Sequence, residues 1–330
     1  MALEDVLHMT SLGLERSPAT KDKLFYYHRG LTDIKKPVLV LLHGYPQSSF
    51  MWRHIVPLLP TDVPLFIPDL PGYGRSAPLS NPHSKFNQGA AILGALSDLL
   101  RPNTKQPVIL LGHDRGARIC HRLAVDNSPT SNFPILGVIF LDIVPTLTQW
   151  RTFSDPKTSM GSFHWPFLAN VELATKMIQA QGGDVWTQTC LDRWVGKADA
   201  GLAKFREHGA VDVYAKFFKD ESVIRATCDD YRAGADEDVE LHEADQKRGR
   251  KVETNVLAIY SKDYLGKRYD VKEVWEEWMA DDAKDKVRLQ FFSFPSHILP
   301  EAVGCSPPNL YSLQSYSASS VLADKAVLIL

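Results

Sequence analysis

The chain has 330 residues, 44% of them hydrophobic and 23% charged, with 37 Lys and Arg against 39 Asp and Glu. That much apolar residue buries a sizeable core, which excludes a disordered or fibrous chain; the length suits two units of ~150 residues or one large α/β unit with an insertion. A net charge of −2 and a pI near 6.6 exclude the electrostatic attraction on which binding to nucleic acid or an anionic membrane depends.

The basic cluster Lys247-Arg248-Gly249-Arg250-Lys251 is short and flanked by acids, so it reads as a solvated face. The longest apolar run, about Pro134 to Leu141, is far below the ~20 residues of a membrane span. Glu4, Asp5 and His8 interrupt any signal-like N-terminus. Cys120, Cys190, Cys228 and Cys305 are widely spaced without a C-x-x-C pair, which argues against a disulfide framework or a zinc site. A cytoplasmic protein without membrane or nucleic-acid partners is expected.

In chain order, Val38 to Leu42 is a continuous apolar run, the mark of a parallel strand covered on both faces. Val63 to Ile67 predicts a second strand, ended by Pro68. Asn87 to Leu100 has helical spacing, and Pro102 stops it. Val108 to Leu111 is a third strand, Gly116 to Val125 the helix after it, and Ile135 to Leu141 a fourth strand. Strand–helix alternation of this kind predicts a doubly wound, mostly parallel α/β sheet. From Pro145 to about Lys251 the pattern changes to helical pieces rich in Trp and Phe. Strand grammar resumes at Val256 to Tyr260, followed by a helix near Val271 to Met279 and a strand at Val287 to Phe292. The expected organisation is a core in two parts, 1–144 and 252–300, with an inserted helical cap over 145–251. The last segment, 301–330, is an atypical Ser/Pro-rich tail.

Gly112-His113-Asp114-Arg115-Gly116 carries the strongest chemical signal. It follows a strand and precedes a helix, the setting of a nucleophile elbow, with Asp in the serine position. The helix N-terminus and Arg115 both favour the carboxylate form of Asp114. A carboxylate is a poor acyl nucleophile, but it displaces a leaving group from saturated carbon and leaves an alkyl ester for water to hydrolyse. His43-Gly44-Tyr45-Pro46 follows the first strand and is placed to supply backbone donors, the Tyr45 amide joining that of Arg115. His43 itself reads as structural, and Asp69 to Ser76 as a Pro/Gly turn. His297 follows the last strand and is expected to activate the hydrolytic water. Its orienting acid is Asp142 or Asp263, both just past strands, and the residues alone do not separate them. Arg118 lies one helical turn beyond Asp114, so both can face one cavity.

The stretches HGYPQSSFMWR (43–53), PDLPGYGRS (68–76), GHDRGARICHRLAVD (112–126), LDIVPT (141–146), FHWPFLA (163–169), DDYRAGADED (229–238) and SHILPE (296–301) resemble the α/β-hydrolase superfamily. Within it they are most similar to haloacetate (fluoroacetate) dehalogenases and the related epoxide hydrolases. The resemblance implies an α/β-hydrolase fold with Asp114 as nucleophile, His297 as base and Asp142 as its acid. It further implies that Arg115 and Arg118 clamp a substrate carboxylate while His164, Trp165 and Tyr231 hold the departing halide. Two guanidiniums beside one carboxylate would leave surplus positive charge, which suits a small anionic substrate. Ser296 stands where the family usually has glycine, and the tail replaces the closing helix expected after Glu301.

The expected reaction is hydrolysis of a 2-haloacetate to glycolate and halide without cofactor or metal, and the resemblance also implies a homodimer. An epoxide hydrolase is the alternative, with Tyr231 and Tyr214 as acids. A natural-product pathway hydrolase is a broader variant, and a non-catalytic ligand-binding or defective member is a different class.

Overall fold

The computed structural model describes residues 4–18, 23–32, 36–101, 105–128, 131–196, 198–281, 283 and 287–292. His297 and the tail 301–330 lie outside these residues. So do Ser296 and Cys305.

The apolar runs form the middle of a sheet because each strand buries both of its faces. In β3 (Val38–Leu42), Val38, Val40 and Leu42 join one apolar cluster, and Leu39 and Leu41 join another. β5 (Val108–His113) divides the same way, Val108 and Leu110 against Ile109 and Leu111. This is the period-2 alternation of a strand with a core layer on each side.

Among the described residues the sheet has eight strands, in the order β1-β2-β4-β3-β5-β6-β7-β8. Its further members are β1 (Glu15–Arg16), β2 (Tyr26–Arg29), β4 (Leu65–Pro68), β6 (Ile135–Leu141), β7 (Asn255–Ser261) and β8 (Val287–Phe292). Neighbours from β4 to β8 pair parallel, whereas β2 is antiparallel to both β1 and β4. The strand expected at 63–67 runs instead from Leu65 through Pro68, because Pro68 still pairs with Tyr26 of the antiparallel neighbour. The chain steps from β3 to β4 on one side and then crosses to β5 on the other, so the C-terminal ends of β3 and β5 flank a topological switch point. Ligand sites in doubly wound sheets form there.

Helices cover the sheet. α1 (Glu4–Ser11) opens the described chain. α2 (Lys85–Leu100) starts on the Ser84 cap, whose side chain accepts from the Asn87 amide. α3 (Arg115–Val125) follows β5, and α13 (Val271–Glu277) lies between β7 and β8. β6 and β7 are sheet neighbours, yet the helices between them run from α4 (Thr146–Arg151) to α12 (Glu237–Arg248). Between these lie α5 (Pro156–Gly161), α6 (His164–Ala169), α7 (Val171–Gln181), α8 (Gly183–Trp194), α9 (Asp199–Arg206), α10 (Ala210–Phe217) and α11 (Glu221–Ala235). The insertion meets the core through polar bonds as well as apolar packing: Trp186 Nε1 donates to the Tyr45 hydroxyl over 2.6 Å, and Tyr73 Oη donates to Asp230 over 2.7 Å. No helix among the described residues is long and apolar enough to cross a membrane.

Candidate active site

Asp114 sits between β5 and α3 with φ 45° and ψ −114°. A non-glycine residue at positive φ is uncommon and persists where the surroundings over-determine it. Its flanking glycines explain how. A Cβ at Gly112 would lie 2.5 Å from the Ala117 nitrogen, and one at Gly116 would lie 2.4 Å from the Leu42 and His43 carbonyl oxygens. The turn therefore closes only with glycine at both places, and the Gly116 amide donates to His43 O over 2.9 Å. The loop after β3 meets the elbow directly, since the Tyr45 amide donates to Asp114 Oδ2 over 3.1 Å.

His43 has the expected structural role. Its Nε2 accepts from the Leu70 amide at 2.9 Å, which makes Nδ1 the donor to Gly44 O. Asp69 to Ser76 is likewise a turn: Asp69 Oδ1 accepts from the Ser49 amide and hydroxyl, and Oδ2 accepts from the Arg75 amide.

The two arginines of α3 differ. Arg115 is fully buried, and its Nε and Nη2 donate to the Asp230 carboxylate over 2.8 and 3.0 Å. Nη2 also donates to the Asp230 carbonyl over 2.7 Å. Arg115 is thus not the uncompensated cation beside Asp114 that the sequence suggested, because the insertion supplies a carboxylate for it. Burial alone would lower its pKa, but Asp230 outweighs burial and raises it. Arg118 is the guanidinium on which the Asp114 charge acts; burial pulls it down to about 10, with Asp114 opposing. Arg118 Nη1 donates to Val144 O at 2.9 Å and Thr146 Oγ1 at 3.3 Å.

The aromatic residues expected from the insertion gather at the same place. The Arg118 guanidinium lies 4.4 Å from the Trp165 ring centroid, and Arg115 lies 4.2 Å from that of Tyr231. Tyr231 stands edge-on to Trp165 at 5.6 Å and to Tyr45 at 5.3 Å, and His164 packs 5.9 Å from it. Burial first, then the Asp114 charge, pushes the Tyr231 phenol well above its usual pKa. Asp114, Arg115, Arg118, Tyr45, His164, Trp165 and Tyr231 are therefore neighbours in one aromatic and cationic cluster. Tyr214 is not part of it: it packs on Phe50 and accepts from Arg53 Nη1 over 3.3 Å, in the other apolar cluster.

The two acids considered for the base occupy different surroundings. Asp142 is buried at the end of β6, the strand beside β5, and its Oδ1 accepts from the Ser261 amide over 2.9 Å. Asp263 is partly exposed and paired with Lys267 at 3.2 Å.

Sequence reasoning missed Asp230, Lys85 and Trp186 as members of this region. Asp230 lies within DDYRAGADED, but a helical aspartate carries no mark of a partner 115 residues away. The described residues whose donor atoms approach closely enough to share an ion are His54, Glu207 and His208, within 4.8 Å of one another. Glu207 and His208 lie at the α9–α10 junction, where Lys204 holds Glu207 at 2.8 Å, and His54 meets them from the 3-10 helix Ser49–His54 after β3.

A strained carboxylate elbow on a parallel sheet, covered by helices inserted between two adjacent strands, defines an α/β hydrolase. Residues 37–162 match the α/β-hydrolase fold family. The chain is 30% identical over 261 residues to a fluoroacetate dehalogenase from a Burkholderia species, covering 78% of this chain and 80% of that protein. It belongs to the α/β-hydrolase family. It is also 27% identical to a soluble epoxide hydrolase from Corynebacterium sp. strain C12, over 72% of this chain and 78% of that one. A provisionally assigned α/β hydrolase from Nostoc superposes with a TM-score of 0.72 at 33% identity, covering 87% and 92% of the two chains.

Proposed function

We propose that this hydrolase uses Asp114 as a nucleophile toward saturated carbon, and that its substrate is a small 2-haloacid such as chloroacetate. One Asp114 oxygen attacks the halogen-bearing carbon, the carbon–halogen bond breaks, and halide leaves with the bonding pair. Water, activated by His297 with Asp142 as orienting acid, then adds to the ester carbonyl of Asp114 and releases glycolate. Net release is halide, glycolate and one proton, and the water oxygen remains in Asp114. The observation that carries this reading is a carboxylate, not a hydroxyl, at the elbow, with Arg118 responding to its charge and Trp165 and Tyr231 packed around the pair. Arg118 suits a carboxylate substrate. The indole N–H of Trp165, the phenol of Tyr231 and the imidazole of His164 are donors for a departing halide. The fluoroacetate dehalogenase relative supports the same class.

Single-turnover hydrolysis of chloroacetate in heavy-oxygen water tests the scheme. The label is expected in the protein after the first cycle and in glycolate only on later cycles. Label in first-cycle glycolate would contradict covalent catalysis. Epoxide opening is the second reading, favoured by the edge-on Tyr45–Tyr231 pair beside Asp114. Turnover of styrene oxide in preference to chloroacetate would select it.

A further inference from the structure

The Asp230 carboxylate comes from α11 of the insertion, yet among the described residues every side chain bonded to it belongs to the core. Tyr73 Oη donates to Oδ2 over 2.7 Å, Gln88 Nε2 donates to Oδ1 over 2.7 Å, and Lys85 Nζ and Arg115 form ion pairs with it. Lys85, Arg115 and Asp230 are all fully or almost fully buried. A buried ion pair does not need so many donors for stability alone, since apolar replacements often serve as well.

α11 shapes itself around the Arg115 guanidinium. Asp230 binds its edge through two side-chain oxygens and the backbone carbonyl, and Tyr231 lies against its face at 4.2 Å. One turn on, Gly234 leaves room: a Cβ there would lie 3.1 Å from Arg115 Nη2. With Nε and Nη2 committed, Arg115 Nη1 is buried and has no partner among the described residues. Arg118 Nε is in the same condition, and both guanidiniums lie over the Trp165 ring, at 5.3 and 4.4 Å. Buried donors left without partners are costly and rare in native proteins, so each calls for an acceptor. Two such donors over one ring match the two oxygens of a carboxylate.

We propose that Asp230 is a positioning residue, which fixes Arg115 so that Nη1 alone is presented to the substrate carboxylate and so couples the seating of the insertion to anion recognition. This rests on the haloacid reading. Tyr73, Gln88 and Lys85 hold Asp230, Asp230 and Tyr231 hold Arg115, and Arg115 meets the substrate. Asp230 acts through Arg115 and touches no reacting atom.

Two variants test it. Asp230→Asn alone would strand two buried cations, so it is combined with Lys85→Met to restore the local charge balance. Gly234→Ala is the second variant. It favours the helix yet moves Arg115 by a few tenths of an ångström, and it keeps the proposal testable if the double variant does not fold. For chloroacetate, KM is expected to rise about 10-fold or more in the double variant and about 3-fold in Gly234→Ala, with kcat within about 3-fold of wild type, because ground-state anion binding is what is lost. A purely structural role would lower the folded fraction and leave KM unchanged. An independent readout is the Arg115 Nε–H resonance in 15N-arginine protein, expected to be protected from exchange in wild type and exposed in the double variant. Unchanged KM in a folded variant, or an Arg115 resonance indifferent to the Asp230 change, would overturn the proposal. If wild type released no halide, the haloacid reading would fail separately, and the resonance together with binding of glycolate would still decide the role of Asp230.

Discussion

Tyr45 and Asp114 are 69 residues apart in the chain and are joined by one hydrogen bond, from the Tyr45 amide to Asp114 Oδ2 over 3.1 Å. In the proposed reaction Oδ1 attacks, so Oδ2 becomes the ester carbonyl oxygen and then the oxyanion during hydrolysis. The same amide meets it at each stage, which is the preorganisation expected of an oxyanion site. Gly44 permits this approach: a Cβ there would lie 2.8 Å from Asp114 Cβ and from His113 Nδ1. Gly44→Ala is expected to push the Tyr45 amide off the carboxylate and lower kcat by about 10²-fold, with a smaller change in KM. Initial rates of halide release check this, and an unchanged kcat would separate the Tyr45 amide from catalysis.

The surroundings of Asp142 and Asp263 lead to a second expectation. Asp142 is buried with its carboxylate fixed by the Ser261 amide, whereas Asp263 already has an exposed partner in Lys267. An orienting acid acts by holding the imidazole and stabilising its cation, a role for a fixed, buried carboxylate. Asp142→Asn is expected to slow ester hydrolysis by about 10³-fold or more, so that the Asp114 ester accumulates. Intact-protein mass spectrometry after mixing with chloroacetate would show the adduct. Asp263→Asn should stay within a few-fold of wild type and show none. The reverse pattern would exchange the two roles.

How far the sequence reached follows from which interactions are local. β3, the start of β5 and β6 were legible because strands buried on both faces must be apolar throughout. The elbow was legible because it stands directly between an apolar strand and a helix with glycine on both sides; Gly112 answers to a clash a few residues on, at Ala117, whereas Gly116 answers to the Leu42 and His43 carbonyls of the distant β3 loop. β2 was not read: Tyr26-Tyr27-His28-Arg29 is polar and aromatic, and it becomes a strand by antiparallel pairing with β1 and β4. α1 was missed as well, a short helix whose Asp5 is anchored by Arg75 and Lys216, both distant in the chain. Among the site residues, Asp114 and Tyr45 could be placed from strand ends. The partner of Arg115 could not, since Asp230 reaches it only through the packing of the insertion on the core. Burial alone would raise the Asp230 pKa; Arg115 and Lys85 outweigh it and hold the carboxyl well below the usual range. No local feature of DDYRAGADED announces that balance.

Arg118 differs from Arg115 in having no carboxylate partner among its described hydrogen bonds, which go to Val144 O and Thr146 Oγ1. Its planar fork over Trp165 is the part a lysine lacks. Arg118→Lys keeps the charge and removes the fork with its Nε donor, so chloroacetate kcat/KM is expected to fall by about 10²-fold, as for loss of a charge-assisted hydrogen bond. Chloroacetamide, without the anionic group, should lose much less. Equal losses for both substrates would show that Arg118 does not read the carboxylate.

His242 sets an expectation for acid stability. Its ring is buried edge-on to His121 at 5.0 Å and against Trp278 at 4.8 Å, and its Nδ1 accepts from the Leu147 amide over 3.4 Å. Burial first, then the Arg122 and Arg118 charges, lowers it to about 3. In the unfolded chain an ordinary histidine binds a proton below about pH 6.5. Between these values the unfolded state holds more protons than the folded one, so stability rises with pH across that window and is lost as pH falls from about 6.5 toward 3. The limiting contribution is about 1.4 kcal/mol per pH unit for one group. His242→Gln retains an acceptor for the Leu147 amide and removes the titration. At pH 7 the variant should be the less stable protein, because it loses ring packing. Its deficit should shrink as denaturation midpoints are followed from pH 7 to pH 4.5, with the acid-side slope lower by up to one proton. Parallel curves for the two proteins over that range would mean that His242 takes up no proton on unfolding.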